Sequence, residues 1–209
     1  MRERALLAGR LPAGGRVVSV GAGWHPGRHL FPAPAWNLLA VDADPARPDA
    51  AVERGVADAG IVGRAGRLDG LPDGGFDAVL YRLVLHHVAY AEPLAPVLAE
   101  AARLLRPGGV LVAIEPNLWH PVGLGLALAN RLGLGVRIHG TPDDVPLSPR
   151  RLGAEARRAG LRPELHAVTY AWRRLPPRLQ GALHPLERFG SRPGARALGH
   201  TLLLVAERS

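Results

Sequence analysis

Two short pieces of this chain have the residue types and spacing of a nucleoside site. The run Val17-Val18-Ser19-Val20 stops at Gly21-Ala22-Gly23, and a second apolar run, Leu38-Leu39-Ala40-Val41, stops at Asp42. Glycines at a strand end let backbone N–H groups approach a ligand with no Cβ in the way, and a neighbouring acid can accept both hydroxyls of a ribose. A second group carries titratable chemistry. Tyr81 and Arg82 close one apolar run, His86 and His87 follow directly, and Glu115 ends another. Histidine takes a proton near neutral pH without a large pKa shift. Either His86 or His87 can be that base, and the alternative for each is a packed residue capping the loop. Glu115 reads as a chemical group or as an acid that orients a helix or loop. Arg82 reads as a binder of a carboxylate or as the partner of Glu115, and Tyr81 as a ring facing a cation or as packing.

These residues converge only if the strands that carry them lie side by side and parallel, with the groups at their carboxyl ends. The pattern supports this. Strands are predicted at 16–20, 38–41, 60–64 (weak), 76–81, 110–114, 165–170 and 201–207. A brief helix is expected from Pro26, since proline suits a first turn, and Pro32 and Pro34 must end it. Further helices are expected over 50–59, over 93–105, where Leu94, Val97, Leu98, Ala101 and Leu105 share a face, and from Pro149, after the cap residue Ser148, to Gly160. Turn chemistry stands at Leu71-Pro72-Asp73-Gly74-Gly75 and Pro107-Gly108-Gly109.

Composition narrows the class. The 209 residues suffice for one α/β domain with a real core, and 47% hydrophobic content argues against disorder. With no cysteine there is no disulfide, thiolate nucleophile or zinc–thiolate cluster. No apolar stretch reaches membrane-spanning length and the start lacks the apolar run of a signal peptide, so the expectation is a cytoplasmic protein. The formal charge of +8 comes entirely from arginine, scattered along the chain apart from a few pairs, so a polynucleotide track is not the favoured explanation.

Five pieces stand in order: Gly21-Ala22-Gly23, Asp42, Leu71-Pro72 with Phe76-Asp77-Ala78-Val79, Leu85-His86-His87-Val88, and Leu104-Leu105-Arg106-Pro107-Gly108-Gly109. Together they resemble the class I S-adenosylmethionine-dependent methyltransferases, in particular the small-molecule branch related to the ubiquinone and menaquinone biosynthesis enzymes. The resemblance runs from about Arg16 to Asn117. It implies a Rossmann-like seven-stranded α/β sheet, mostly parallel, with helices on both faces and an antiparallel last strand inserted between strands five and six. It implies that Gly21, Ala22 and Gly23 pass under the methionine half of S-adenosylmethionine, that Asp42 holds the ribose and that Ala43 flanks the adenine. Tyr81 would then face the sulfonium. The family commonly has an acid where Ser19 stands and a third glycine where His25 stands. Its adenine-binding Asp is replaced by Arg67, leaving either Asp69 to reach the adenine or Leu68 to cover the ring.

The acceptor pocket is expected from segments added to one domain, residues 117–147 and 171–200. The first carries Trp119, His120 and a stripe of Leu124, Leu126, Leu128 and Leu132; the second carries Trp172, Arg173, Arg174 and Leu179. Apolar walls suit a small apolar or aromatic acceptor, methylated at oxygen ahead of nitrogen or carbon. Alternatively the leucine stripe packs on the sheet or on a second copy in a homodimer. With so few residues ahead of the first strand, no lid is expected from the amino end. Two competing functions are a nicotinamide-dependent Rossmann oxidoreductase and a catalytically silent methyltransferase-like partner subunit.

Overall fold

The computed structural model describes residues 2–209 apart from 135, 138–145, 173, 191 and 193. Arg173, and 138–145 of the first added segment, therefore lie outside the described residues. A short helix α1 (Arg2–Leu7) leads into β1 (Gly15–Val20), followed by β2 (Trp36–Asp42), α2 (Ala46–Glu53), β3 (Ala59–Val62), β4 (Phe76–Arg82), α3 (Leu85–Ala91), α4 (Leu94–Leu104) and β5 (Leu105–Pro116). Then come α5 (Pro121–Arg131), α6 (Pro149–Arg158), β6 (Leu161–Thr169), α7 (Pro177–Leu183), two 3-10 turns and β7 (Thr201–Arg208). The seven strands form one sheet in the order β3-β2-β1-β4-β5-β7-β6. β1 to β5 run parallel, and β7 is antiparallel to both β5 and β6, as the resemblance implied.

Register sets the site. Val20 lies beside Val41 on one side and Tyr81 on the other, and Arg82 lies beside Ile114, so the carboxyl ends of β1, β2, β4 and β5 finish along one edge. Alternation along each strand divides the core into two layers. Val18, Val79, Tyr81 and Leu111 face the apolar stripes of α4 and α6; Val17, Leu38, Leu80 and Val112 face the other way.

That second layer is where the structure departs most from expectation. No helix follows Pro26 among the described residues; 24–35 is a run of turns lying on the sheet. Leu30 and Phe31 are both buried, and Phe31 meets Trp36 edge-on at 4.9 Å between ring centres. The Arg28 guanidinium fixes the loop from beneath. It donates to the carbonyls of Trp36 (3.0 Å), Phe31 (3.3 Å) and Val56 (3.3 Å) and pairs with Asp58 at 2.6 Å. Pro26, Pro32 and Pro34 remove the donors a helix would need, and Arg28 satisfies the carbonyls left over.

Smaller boundaries shift for local reasons. α2 starts earlier than expected because Asp44 accepts the Ala46 N–H at 3.1 Å and pairs with Arg47 at 3.0 Å. β6 begins at Leu161 rather than 165, paired with β7. α3 was not expected at all, and its cause lies in the site.

Candidate active site

The glycine loop and the acid of β2 meet directly. The Ala22 N–H donates to the Val41 carbonyl at 2.9 Å, and the Gly23 N–H donates to Asp42 Oδ2 at 2.8 Å. Asp42 Oδ1 accepts the Asp44 N–H at 3.0 Å. Gly21 has φ +66°, and a Cβ there would stand 2.6 Å from both methyls of Val84, so the loop sits tightly against the exit of β4. Gly23 has φ +51° with open space where a Cβ would project. Each Asp42 oxygen carries one protein hydrogen bond, which leaves lone pairs for a diol. Ala43 follows, exposed.

The second group surrounds a cavity of about 430 Å³ at the same sheet edge. Its wall includes Arg82, Leu83, His86 and His87 from the β4–α3 turn, Ile114 and Pro116 from β5, and Leu126 from α5. Thr169, Ala171, Trp172, Arg174, His200 and Thr201 close the far side. The turn is built by Glu115. This carboxylate is fully buried and accepts the N–H groups of Val84 (3.0 Å), Leu85 (2.9 Å) and His86 (3.4 Å), the orphan donors of the first turn of α3. It also receives His86 Nδ1 at 2.6 Å. The chain reverses through Leu83, a non-glycine residue at φ 59°, whose N–H is held by the Ile114 carbonyl at 2.8 Å. His87 stacks obliquely on His86, 4.1 Å between ring centres.

Residues 18–113 match the methyltransferase domain family. This stretch is a methyltransferase domain, and the sheet order around it is that of the class I methyltransferase fold. Solved structures similar to this chain agree with it in fold. A S-adenosylmethionine-dependent methyltransferase from Thermotoga maritima, described as a possible histamine N-methyltransferase, is 17% identical with a TM-score of 0.68, covering 100% of this chain and 88% of that one. A methyltransferase of Haloferax volcanii solved with the Trm112 methyltransferase activator is 20% identical with a TM-score of 0.65, covering 99% and 88%. A geranyl diphosphate C-methyltransferase from Streptomyces coelicolor is 17% identical with a TM-score of 0.64, covering 99% and 78%. No curated protein matches the chain by sequence. The methyltransferase match sets aside the nicotinamide oxidoreductase.

The methyltransferase's cofactor is S-adenosylmethionine, and the residues present fit it. Gly23 offers an open backbone surface, and Asp42 has spare acceptor capacity beside it. Ser19, where the resemblance expects an acid, is buried. Past Gly23 the chain is anchored without a helix: Arg47 lies over the Trp24 ring at 4.3 Å, and Arg54 donates to the Trp24 carbonyl at 3.1 Å.

Of four sequence-predicted residues, Tyr81 and Glu115 take the packed and the loop-orienting place that were their alternatives, and Asp69 and Leu68 are engaged within the chain. Tyr81 does not face a sulfonium: it is fully buried on the α4 side, its hydroxyl turned toward the Val97 carbonyl at 3.4 Å. Burial and the nearby Glu100 raise its phenol above the ordinary range. Glu115 lies behind the cavity wall, occupied by four donors, and Arg82 is therefore not its partner. Asp69 is exposed and paired with Arg67 at 2.6 Å. Leu68 is buried in the core cluster with Val41, its N–H held by Glu100 at 2.8 Å.

The added segments both reach the cavity, through Leu126 on one side and Trp172 with Arg174 on the other. The leucine stripe of α5 is split: Leu126 faces the cavity, while Leu124, Leu128 and Leu132 are 54%, 57% and 65% exposed. Trp119 packs under Arg150 at 5.0 Å, and His120 caps α5 by accepting the Val122 N–H at 3.2 Å. Burial lowers the His120 pKa and outweighs its contact with the Tyr170 carbonyl. Glu3 of α1 lines the cavity as well, against the expectation that the amino end contributes no cover; it is held there by His29 at 3.2 Å. Nothing in the local sequence of α1 signals this, because Glu3 and His29 are brought together only by the folded loop.

Proposed function

We propose that this chain transfers the S-adenosylmethionine methyl group to an oxygen of a small acceptor held in the cavity between α3, α5 and the segment after β6. Bound S-adenosylmethionine supplies an electrophilic methyl on a sulfonium, transferred in one in-line displacement. The chain has two tasks in that reaction: to hold the acceptor in line in a site closed to water, and to receive its proton. The observation that carries the reading is the Glu115–His86 contact at 2.6 Å, made at the cavity wall. A carboxylate acceptor at Nδ1 fixes the ring tautomer that bears its proton there, which leaves Nε2 as the basic nitrogen. His86 would then take the acceptor's proton at Nε2, and Glu115 would orient the ring and favour the imidazolium that results. Ile114, Leu126 and Trp172 supply the walls for an apolar or aromatic body. The geranyl diphosphate methyltransferase likeness is in keeping with an acceptor that has an apolar part.

The test uses release of S-adenosylhomocysteine from S-adenosylmethionine with a panel of phenols of increasing side-chain length. Turnover is expected in the wild type and a fall of at least a hundredfold in His86→Gln, with S-adenosylhomocysteine affinity unchanged. Full activity in His86→Gln would remove it as the base. The silent-subunit reading draws on Ser19 and on the turn-built loop that replaces a helix after Gly23. It would gain if the purified chain bound no S-adenosylhomocysteine.

A further inference from the structure

Resting on that reading, we infer that the acceptor carries an oxyanion, a carboxylate or a phosphate, bound by Arg82 with Arg174 on the opposite wall. Arg82 closes β4 and lines the cavity, and its Nε is buried with no hydrogen-bond partner among the described residues. A guanidinium keeps its charge at any pH a protein meets, and one held partly out of water without a counter-ion is costly. The obvious counter-ion is already committed. Glu115 follows Ile114, the β5 residue in register with Arg82, yet its carboxylate serves three backbone N–H groups and His86 Nδ1. Glu3, the acid among the described residues that does line the cavity, contacts His29 at 3.2 Å. Arg174 comes from the segment after β6, and its guanidinium lies over the Trp172 ring at 5.7 Å, where the ring face steadies the charge.

The lining divides by chemistry. Ile114, Leu126 and the Trp172 ring take an apolar body, whereas Arg82 and Arg174 take an oxyanion, planar carboxylate or tetrahedral phosphate, through paired N–H donors. Thr169 and Thr201 also line the cavity. An acceptor with an aromatic body, a hydroxyl to be methylated and an acidic group matches this division. The anion fixes its direction, so that the hydroxyl meets His86 and not the mouth of the cavity.

Calorimetric titration of the full chain with 3,4-dihydroxybenzoate and with its neutral methyl ester, each with and without S-adenosylhomocysteine, separates the claims. S-adenosylhomocysteine binding alone reports on the methyl-transfer reading; the difference between acid and ester reports on the anion subsite even if the cofactor product fails to bind. The acid is expected to bind at least tenfold tighter than the ester, and 4-hydroxyphenyl phosphate, tighter than phenol by a similar factor, would extend the class to phosphates. Arg82→Gln should abolish the acid's advantage and leave the ester's affinity and the circular dichroism spectrum unchanged, and Arg174→Gln should reduce the advantage as a second, independent variant. Equal affinity for acid and ester in the wild type, including no measurable binding of either, overturns the proposal, as does an advantage that persists in Arg82→Gln.

Discussion

At the scale of single residues, the site depends on two carboxylates with opposite environments. Asp42 is half-exposed and holds the glycine loop from one oxygen while keeping acceptor capacity for a ligand. Asp42→Ala should weaken S-adenosylhomocysteine tenfold or more, as expected for loss of a charged hydrogen bond of roughly 1.5–3 kcal/mol. Glu115 is fully buried and occupied by the chain itself. Glu115→Gln keeps the shape but removes the charge that holds His86 and turns an amide N–H toward donors. It should cost about 2 kcal/mol or more in denaturant unfolding and also alter the pH dependence of turnover. A variant that lost stability but kept the wild-type pH profile would make Glu115 a fold-stabilising acid with no hold on the base. Tyr81 could have been placed correctly from strand alternation alone, since Val79 and Tyr81 share the α4 face while Leu80 faces the opposite layer.

Among the elements, the decisive join is between the glycine loop and the β4–α3 turn. Gly21→Ala would press a Cβ onto both methyls of Val84 and force an L residue into φ +66°. The expected outcome is a loss of about 1–2 kcal/mol in stability together with weaker S-adenosylhomocysteine binding. Retained stability and affinity would mean that the turn is free to move away. The β-branched and apolar runs of β1, β4, β5 and β7 were legible because these strands bury both faces and need no distant partner to declare themselves. α3 was not legible: its first turn is satisfied by Glu115, about thirty residues away in sequence. The turns over 24–35 were misread because Pro26 looks like a first-turn proline, and the Arg28 contacts to Trp36, Val56 and Asp58 exist only after folding.

Across the whole molecule, several carboxylates tie the sheet to its surroundings and are held below their ordinary range. For Glu100 the leading cause is its hydrogen bond with Arg103. For Asp58 and Asp77 burial acts to raise the pKa, and the hydrogen bonds outweigh it: Arg28 and the Leu38 N–H for Asp58, the Arg16 N–H and Arg106 for Asp77. A depressed folded-state pKa contributes stability above the unfolded value, about 4, and that stability is lost as pH falls through the lower folded values. Melting temperature should therefore hold through neutral pH and fall progressively below about pH 4. A flat profile down to pH 3 would show that these contacts contribute nothing to stability. No described helix is long and apolar enough to cross a membrane, and Leu124, Leu128 and Leu132 are exposed. The acceptor cavity is an assembly of distant pieces, α1, α5 and the segment after β6 joining the β4 and β5 ends. That explains why the cofactor half of the site could be read from motifs, whereas the acceptor half needed the fold.

The most direct test of the central claim is calorimetric titration of the purified chain with S-adenosylhomocysteine and, separately, with NAD. S-adenosylhomocysteine is expected to bind at one site per chain and lose at least tenfold in affinity in Asp42→Ala, while NAD gives no heat. Binding of NAD alone, or S-adenosylhomocysteine binding that is indifferent to Asp42, would contradict it.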